Sequence, residues 1–131
     1  MKLINRDTDY AVRALVYMAR SPQQVCSAKA LVDELRMPRA FSRRLLQVLS
    51  REGILKSSKG KGGGFRFRKL PAKIKLKDLV EIFQRDFKET RCIFKKKICP
   101  DIRTCPLRHK IQGIEKKVVD ELAAVSIADL S

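Results

Sequence analysis

Three of the four cysteines and the only histidine of this chain lie in one short stretch near its C-terminal end. The residues are Cys92, Cys99, Cys105 and His109, and the cysteines are separated by six and then five residues. Thiolates are preferred ligands of zinc, copper(I) and iron–sulfur clusters. Because three sulfurs on one loop can converge, the stretch is a candidate metal centre.

Positive charge accompanies these thiols. Residues 95–97 are consecutive lysines, which favour thiolates and offset the charge of an anionic cluster. Pro106 is predicted at the first position of a helix, so Cys105 would lie where the helix dipole favours a thiolate. The competing interpretation is a solvated basic loop with incidental cysteines. The clustering argues against it, because free cysteines are usually scattered and buried.

The length, composition and net charge of the chain favour a nucleic-acid partner. The chain has 131 residues, a formal charge of +16 and 44% hydrophobic residues, which suits one domain with a real core, or a small domain with an oligomerisation arm. So large a positive charge makes nucleic acid a better partner than a membrane surface. No apolar run reaches the ~18 residues of a membrane span. The N-terminus does not resemble a secretory signal, so we expect a cytoplasmic protein without disulfides.

Apolar spacing predicts three helices in the first half. The first covers residues 6–20, the second is capped by Ser27, and the third covers about 39–52 after a turn containing Pro38. The third helix has a predicted buried stripe of Phe41, Leu45, Val48 and Leu49. Its opposite side is basic and lacks the mixed charges of an ordinary solvated face. A helix, a short turn and a basic helix form the pattern of a helix-turn-helix in a major groove.

A glycine-rich stretch follows between two short strand-like runs. Residues 54–58 and 65–68 are predicted to pair around a tip that includes Lys59 and Lys61. The tip does not fit a phosphate-binding loop or a dinucleotide fingerprint, and it suits the wing of a winged helix. The candidate DNA-contacting residues are Arg39, Ala40, Arg43, Arg44, Gln47, Lys59 and Lys61.

The C-terminal part is predicted to be one long amphipathic helix. Its apolar residues are Leu107, Ile111, Ile114, Val118, Leu122 and Val125. A chain this short offers the helix little to pack against, so pairing with a second subunit is expected, the alternative being a helix folded back on its own domain. The expected fold is mainly α with a small β-hairpin wing. It divides into a winged helix-turn-helix domain at 1–84, a cysteine-bearing loop at 85–106, and a dimerisation helix and tail at 107–131.

Three classes of function were compared. A cluster-dependent regulator and a zinc-stabilised binding module, with Cys92, Cys99, Cys105 and His109 as a Cys₃His set, both suit the cysteine stretch. An enzyme has little support, because no nucleophile with an evident base and no paired catalytic carboxylates stand out.

In the order of these features, the chain resembles the Rrf-type bacterial regulators. This group contains the iron–sulfur cluster regulator, the nitric-oxide-sensing repressor and the cysteine-metabolism repressor. The resemblance rests on residues 9–15, the helix-turn-helix, the wing at 60–65, residues 74–80, the three-cysteine loop and the terminal helix. It extends over essentially the whole chain.

The resemblance implies a homodimeric regulator, with repression as the expected mode, that binds a palindromic double-stranded DNA operator. It implies one two-iron or four-iron cluster per subunit, with Cys92, Cys99 and Cys105 as ligands and redox, nitric oxide or iron–sulfur status as the signal. Asp9 matches an aspartate that serves as fourth ligand from the other subunit in nitric-oxide-sensing relatives, whereas His109 is the local alternative. Pro38 and Ser42 depart from the common recognition-helix pattern, so the operator sequence does not carry over.

Overall fold

The computed structural model describes residues 2–85, 99–101 and 103–131. Its elements in chain order are α1 (Arg6–Arg20), α2 (Ala28–Leu35), α3 (Arg39–Arg51), β1 (Leu55–Ser58), β2 (Gly64–Phe67), a 3₁₀ turn (Pro71–Lys73), α4 (Leu76–Phe83), α5 (Pro106–Ala124) and α6 (Ile127–Leu130). The mainly helical fold with a β-hairpin wing is therefore confirmed. Within the described ranges, no helix is long and apolar enough to cross a membrane.

The first three helices form the helix-turn-helix core. Ser27 caps α2, since its hydroxyl oxygen accepts a hydrogen bond from the Ala30 amide at 3.1 Å. The turn into α3 places Arg36 in the left-handed region, with φ of 53°, and buries Met37. Leu15 of α1 and Leu31 of α2 are completely buried in this core.

The buried stripe of α3 differs in part from the prediction. Leu45 and Leu49 are buried as expected, but Leu46 and Ser42 are also buried, whereas Phe41 and Val48 keep partial exposure. The hydroxyl of Ser42 donates to the Pro38 carbonyl at 3.0 Å. This bond lowers the cost of burying a hydroxyl group, and it explains why a polar residue occupies a core position.

The wing is an antiparallel hairpin in which Leu55 pairs with Phe67 and Ser58 pairs with Gly64. Gly62, at the tip, has φ of 78°, a conformation that glycine adopts without a steric penalty. Phe65 also exchanges two backbone hydrogen bonds with Cys26, at 2.7 and 2.8 Å. The segment before α2 therefore holds the base of the wing against the helix-turn-helix.

The C-terminal part of the chain packs on the same core. Leu122 of α5 and Ile127 of α6 are buried, and the backbone amide of Ile127 donates to the Ile74 carbonyl at 2.9 Å. The short helix α6 was not predicted from the sequence. Its N-terminus forms a capping box between Ser126 and Asp129, and that spacing of residue types was the available signal.

Candidate DNA-binding surface and cysteine site

One face of α3 and the tip of the wing carry the predicted DNA-contacting side chains. All seven are exposed: Arg39, Ala40, Arg43, Arg44, Gln47, Lys59 and Lys61. Because the opposite face of α3 is fixed in the core by Leu45, Leu46 and Leu49, the helix presents this side to solvent. A basic helix face beside a basic wing tip can contact a major groove and an adjacent minor groove or phosphates.

Arg44 differs from its neighbours because α1 restrains it. Its Nη2 lies 3.6 Å from Oδ2 of Asp7, and its guanidinium lies 5.3 Å from the centre of the Phe41 ring. Arg6 lies over the same ring at 5.7 Å. Cation–π and ionic contacts of this kind orient an arginine more than they stabilise the fold. The periodicity of α3 alone contained no signal for this contact with α1.

The structure describes two of the three candidate thiols. Cys99 and Cys105 are free and half-buried, and Cys92 lies outside the described residues. Between Cys99 and Cys105 the chain makes a tight turn, in which the amides of Thr104 and Cys105 both donate to the Asp101 carbonyl, at 3.0 and 2.8 Å. Cys105 is the N-cap residue of α5 and Pro106 is its first residue, as predicted. Cys105 therefore joins the cysteine segment directly to α5.

His109 turns back toward that segment, as its candidate role requires. Its Nε2 lies 3.2 Å from the Arg103 carbonyl oxygen. A carbonyl can only accept, so Nε2 carries the hydrogen. In the neutral ring this leaves the lone pair on Nδ1, which would be the atom available to a metal.

Asp9 lies in the first turn of α1 and is half-exposed. Its Oδ2 forms an ion pair with Nε of Arg13, one turn further along, at 2.9 Å. Across the described ranges, no three histidine, cysteine, aspartate or glutamate side chains form a group that could hold a metal ion. Asp9, Cys99 and Cys105 of one chain therefore do not converge. The complete cysteine set includes Cys92 and is not tested by this observation.

The fourth cysteine, Cys26, has a different environment. It is buried in the core beside the wing, and burial raises its pKa to about 11. The thiol is therefore neutral at physiological pH, and Cys26 has the environment of a core residue.

Gln84 connects the end of α4 to the start of α1. Its Oε1 accepts hydrogen bonds from the Asn5 amide at 2.9 Å and from the Thr8 hydroxyl at 2.8 Å. Its Nε2 donates to the Leu3 carbonyl at 3.2 Å. Thr8 is completely buried. Gln84 is the C-cap of α4, and no periodic pattern of residues predicts its contacts.

The first half of α5 leaves apolar side chains in solvent. Leu107 is 69% exposed, Ile114 is 57% exposed and Ile111 is 38% exposed. With Val118, which is half-buried, they lie on one side of the helix at spacings of three and four residues. Such a continuous exposed apolar stripe is typical of an interaction surface.

The comparisons with known proteins agree on one family. The model that matches residues 4–131 is Rrf2, described as an iron-dependent transcriptional regulator. An Aquifex aeolicus protein with the name of an HTH-type transcriptional regulator is 28% identical over 123 residues, which are 92% of this chain and 85% of the relative. The protein aau3 of Rhizobium meliloti is 26% identical over 128 residues, covering 97% and 83% of the two chains.

Solved structures show the same fold. CymR, the global cysteine regulator of B. subtilis, matches with a TM-score of 0.81 at 18% identity, covering 99% of this chain and 96% of its own. IscR of T. potens matches with a TM-score of 0.75 at 19% identity, covering 99% and 85%. Both alignments include the helix-turn-helix, the wing and the C-terminal helix of this chain.

Proposed function

Because the chain belongs to the Rrf2 family of transcriptional regulators, which are DNA-binding proteins rather than enzymes, we propose that an iron–sulfur cluster bound to Cys92, Cys99 and Cys105 controls its affinity for a palindromic operator. The observation that carries the proposal is the position of Cys105. It ends the cysteine segment and begins α5, the helix whose apolar stripe we assign to the dimer.

The donor set suits such a cluster. Cys99 and Cys105 are free thiols on either side of a short turn, and thiolates are the usual ligands of iron–sulfur clusters. A bound cluster would supply redox chemistry and reactivity toward nitric oxide. The description of the matching family model as iron-dependent supports this assignment over a cluster-free regulator. The relative named as a cysteine regulator keeps the cluster-free alternative in the test below.

Two connections would carry the state of the cysteine segment to the DNA. Through Cys105, the segment sets the start of α5 and hence how two subunits pair. The second connection is Gln84, which lies just before the cysteine-bearing loop. Its side chain accepts hydrogen bonds from Asn5 and Thr8 in the N-terminal region. Asp7 lies between those two residues and contacts Arg44. Order in the segment can therefore bias both the spacing of two recognition helices, about 34 Å on a palindromic site, and the direction of one arginine.

We assign the fourth ligand to Asp9 of the other subunit in preference to His109. The ion pair between Asp9 and Arg13 is half-exposed, so exchanging it for a metal bond costs little. A carboxylate from the second subunit would also connect the cluster directly to dimer geometry and to α1.

A second candidate function is a zinc-stabilised regulator. The observation that favours it is the ring of His109, whose Nε2 contacts the Arg103 carbonyl within the cysteine segment, so that Nδ1 would be the coordinating atom. Cys92, Cys99, Cys105 and His109 would then form a Cys₃His site. Visible absorption separates the two candidates, because zinc is spectroscopically silent and an iron–sulfur cluster is not.

The test is anaerobic purification followed by an absorption spectrum, iron and sulfide analysis, and titration of operator DNA with and without the cluster. Cys92→Ser, Cys99→Ser and Cys105→Ser should each lose visible absorption and the cluster-dependent change in DNA affinity. Cys26→Ser is the matched control and should keep both. Equal iron content in all four variants, or zinc in place of iron in the parent, would refute the cluster assignment.

A further inference from the structure

Arg66, in the second strand of the wing, has a buried nitrogen without a partner. Its Nε is buried and forms no hydrogen bond with any described residue. Leaving a donor of a charged group shielded from water without an acceptor is destabilising. A side chain in this position is explained when a bound group supplies the acceptor.

The positive charge near Arg66 also favours a bound anion. In the hairpin register Lys56 lies directly opposite Arg66, and two like charges at such a position destabilise a sheet. Neither residue forms an ion pair with any residue that the structure describes. An anion at this point would offset both charges.

A cavity of about 290 Å³ lies between the end of α1 and β2, and Arg66 contributes to its lining. Its lining combines apolar side chains, those of Met18, Phe67 and Pro71, with polar ones, those of Ser21, Gln23 and Gln24. The Ser21 hydroxyl oxygen accepts from the Gln23 amide at 3.3 Å, which leaves its hydrogen free to donate. Among the described residues, no aspartate or glutamate lines the cavity. Apolar walls with a few converging polar groups are typical of small-molecule sites.

We propose that this cavity binds a small carboxylate with a short apolar chain. The planar guanidinium of Arg66 matches a carboxylate with two parallel hydrogen bonds. The side-chain amides of Gln23 and Gln24 and the hydroxyl of Ser21 would donate further hydrogen bonds to the carboxylate. The apolar chain would contact Met18, Phe67 and Pro71. Neither Cys99 nor Cys105 lines this cavity, and the proposal does not depend on the cluster.

The position of the cavity implies an effect on the wing. Phe65, next to Arg66, is bonded to Cys26 on the other edge of β2. A carboxylate held between Arg66 and the segment at 21–24 would fix β2 on both sides. Since coupling between two ligands is reciprocal, the carboxylate and DNA should change each other's affinity by the same factor.

The probe for the test is butyrate, with n-butanol as its uncharged control. Butyrate is titrated into the full-length protein while ¹H–¹⁵N spectra and the thermal midpoint are recorded. We expect millimolar binding, shifts concentrated at residues 18–24 and 66–67, and a higher thermal midpoint. The same concentrations of n-butanol should leave both unchanged.

The matched variants are Arg66→Ala and Arg68→Ala, the second removing an exposed arginine just after β2. Arg66→Ala should weaken butyrate binding at least tenfold, Arg66→Lys should restore part of it, and Arg68→Ala should bind as the parent does. Equal binding to Arg66→Ala would overturn the proposal. It would also be overturned if butyrate caused no shifts while Arg66→Ala weakened DNA binding and flattened its salt dependence, since Arg66 would then be a phosphate contact.

Discussion

The carboxylate of Asp7 in α1 lies 3.6 Å from the guanidinium of Arg44 in α3, the predicted recognition helix. The side chains of Arg44 and Asp7 are 65% and 34% exposed, so the pair contributes less than about 1 kcal/mol to folding. The contact matters because it fixes the direction of the Arg44 side chain. Asp7 and the Phe41 ring hold Arg44 along the edge of α3, whereas Arg43 is not restrained by any ion pair in the described chain.

Asp7→Ala should increase binding to random DNA and reduce discrimination. The change removes a negative charge from the DNA-facing side and releases Arg44. The plot of log affinity against log salt should steepen by about 0.9, the value for one additional phosphate contact. The measurement is a fluorescence anisotropy titration of operator and random duplexes at several salt concentrations.

Asp120→Ala is the control for Asp7→Ala, because it removes an exposed acid that pairs with Lys116 on α5 at 3.0 Å. It should leave the ratio of operator to random affinity unchanged. An unchanged ratio in Asp7→Ala as well would show that the contact does not orient Arg44 on DNA.

Arg43→Ala should change which bases are preferred at one position of the operator. An arginine that reads a base edge contributes about 1–3 kcal/mol of discrimination. Lys59→Ala, at the wing tip, should instead weaken all sequences, by about 1 kcal/mol. Selection from a randomised DNA library distinguishes the two effects. Identical selected sequences for the parent and Arg43→Ala would remove Arg43 from the base-reading surface.

A double change, Ile114→Asp with Val118→Asp, should dissociate the proposed dimer. Burying a charge in an apolar contact costs several kcal/mol, so the dimer dissociation constant should rise at least about a hundredfold. Sedimentation equilibrium measures it. Lys117→Asp, on the same helix but outside the apolar stripe, is the control. If the double variant sediments as the parent does, the contact surface lies elsewhere.

The two candidates for the fourth ligand give opposite expectations. After anaerobic reconstitution, Asp9→Ala should alter the absorption and circular dichroism of the cluster, and His109→Ala should leave them close to the parent. Iron content is measured in the same samples. Perturbation confined to the histidine variant would reverse the assignment, and two unaltered spectra would exclude both residues.

The capping box at α6 should make stability depend on pH in a defined direction. The Ser126 amide donates to Asp129 at 2.8 Å, and this bond, followed by that from the Ser126 hydroxyl, lowers the pKa of Asp129 below its ordinary value of 3.8. A carboxyl group whose pKa is lowered by folding stabilises the folded state at pH values above its unfolded pKa. This stabilisation is lost as the pH falls through the folded pKa. Asp129→Asn should therefore lower the thermal midpoint at about pH 6, with a difference that shrinks toward about pH 3.

Asp120→Asn makes the same change of charge on α5 and should show no such convergence with the parent. Parallel curves for Asp129→Asn and the parent across the whole range would mean that the cap does not contribute through its ionised form.

Local chemistry explains why much of the fold was predictable. Ser27 and Pro106 mark helix starts through capping and ring geometry, and the glycines at 60–64 permit the wing turn. Each of these signals lies within a few residues of the element that it determines. The exposed positions of Arg39, Arg43 and Gln47 followed from helical periodicity in the same way.

Contacts between distant parts of the chain were not predictable. Gln84 and Thr8 are 76 residues apart in sequence, and no periodic pattern relates them. Arg44 looked equivalent to Arg43 until the fold brought Asp7 beside it. Ser42 can be buried because its hydroxyl donates a hydrogen bond to the Pro38 carbonyl, four residues earlier. Hydrophobic patterning alone predicts that a serine at this position is exposed.

The docking of α6 on the first helix has a consequence for how the protein folds during synthesis. The Arg20 guanidinium donates to the Leu130 carbonyl at 3.0 Å, across a separation of 110 residues, and Ile127 is completely buried in the core. The ribosome must therefore release the chain as far as about residue 130 before the core around α1 can close. Until then the apolar surface that receives Ile127 is exposed to solvent, and this is the interval in which a nascent chain depends most on chaperones.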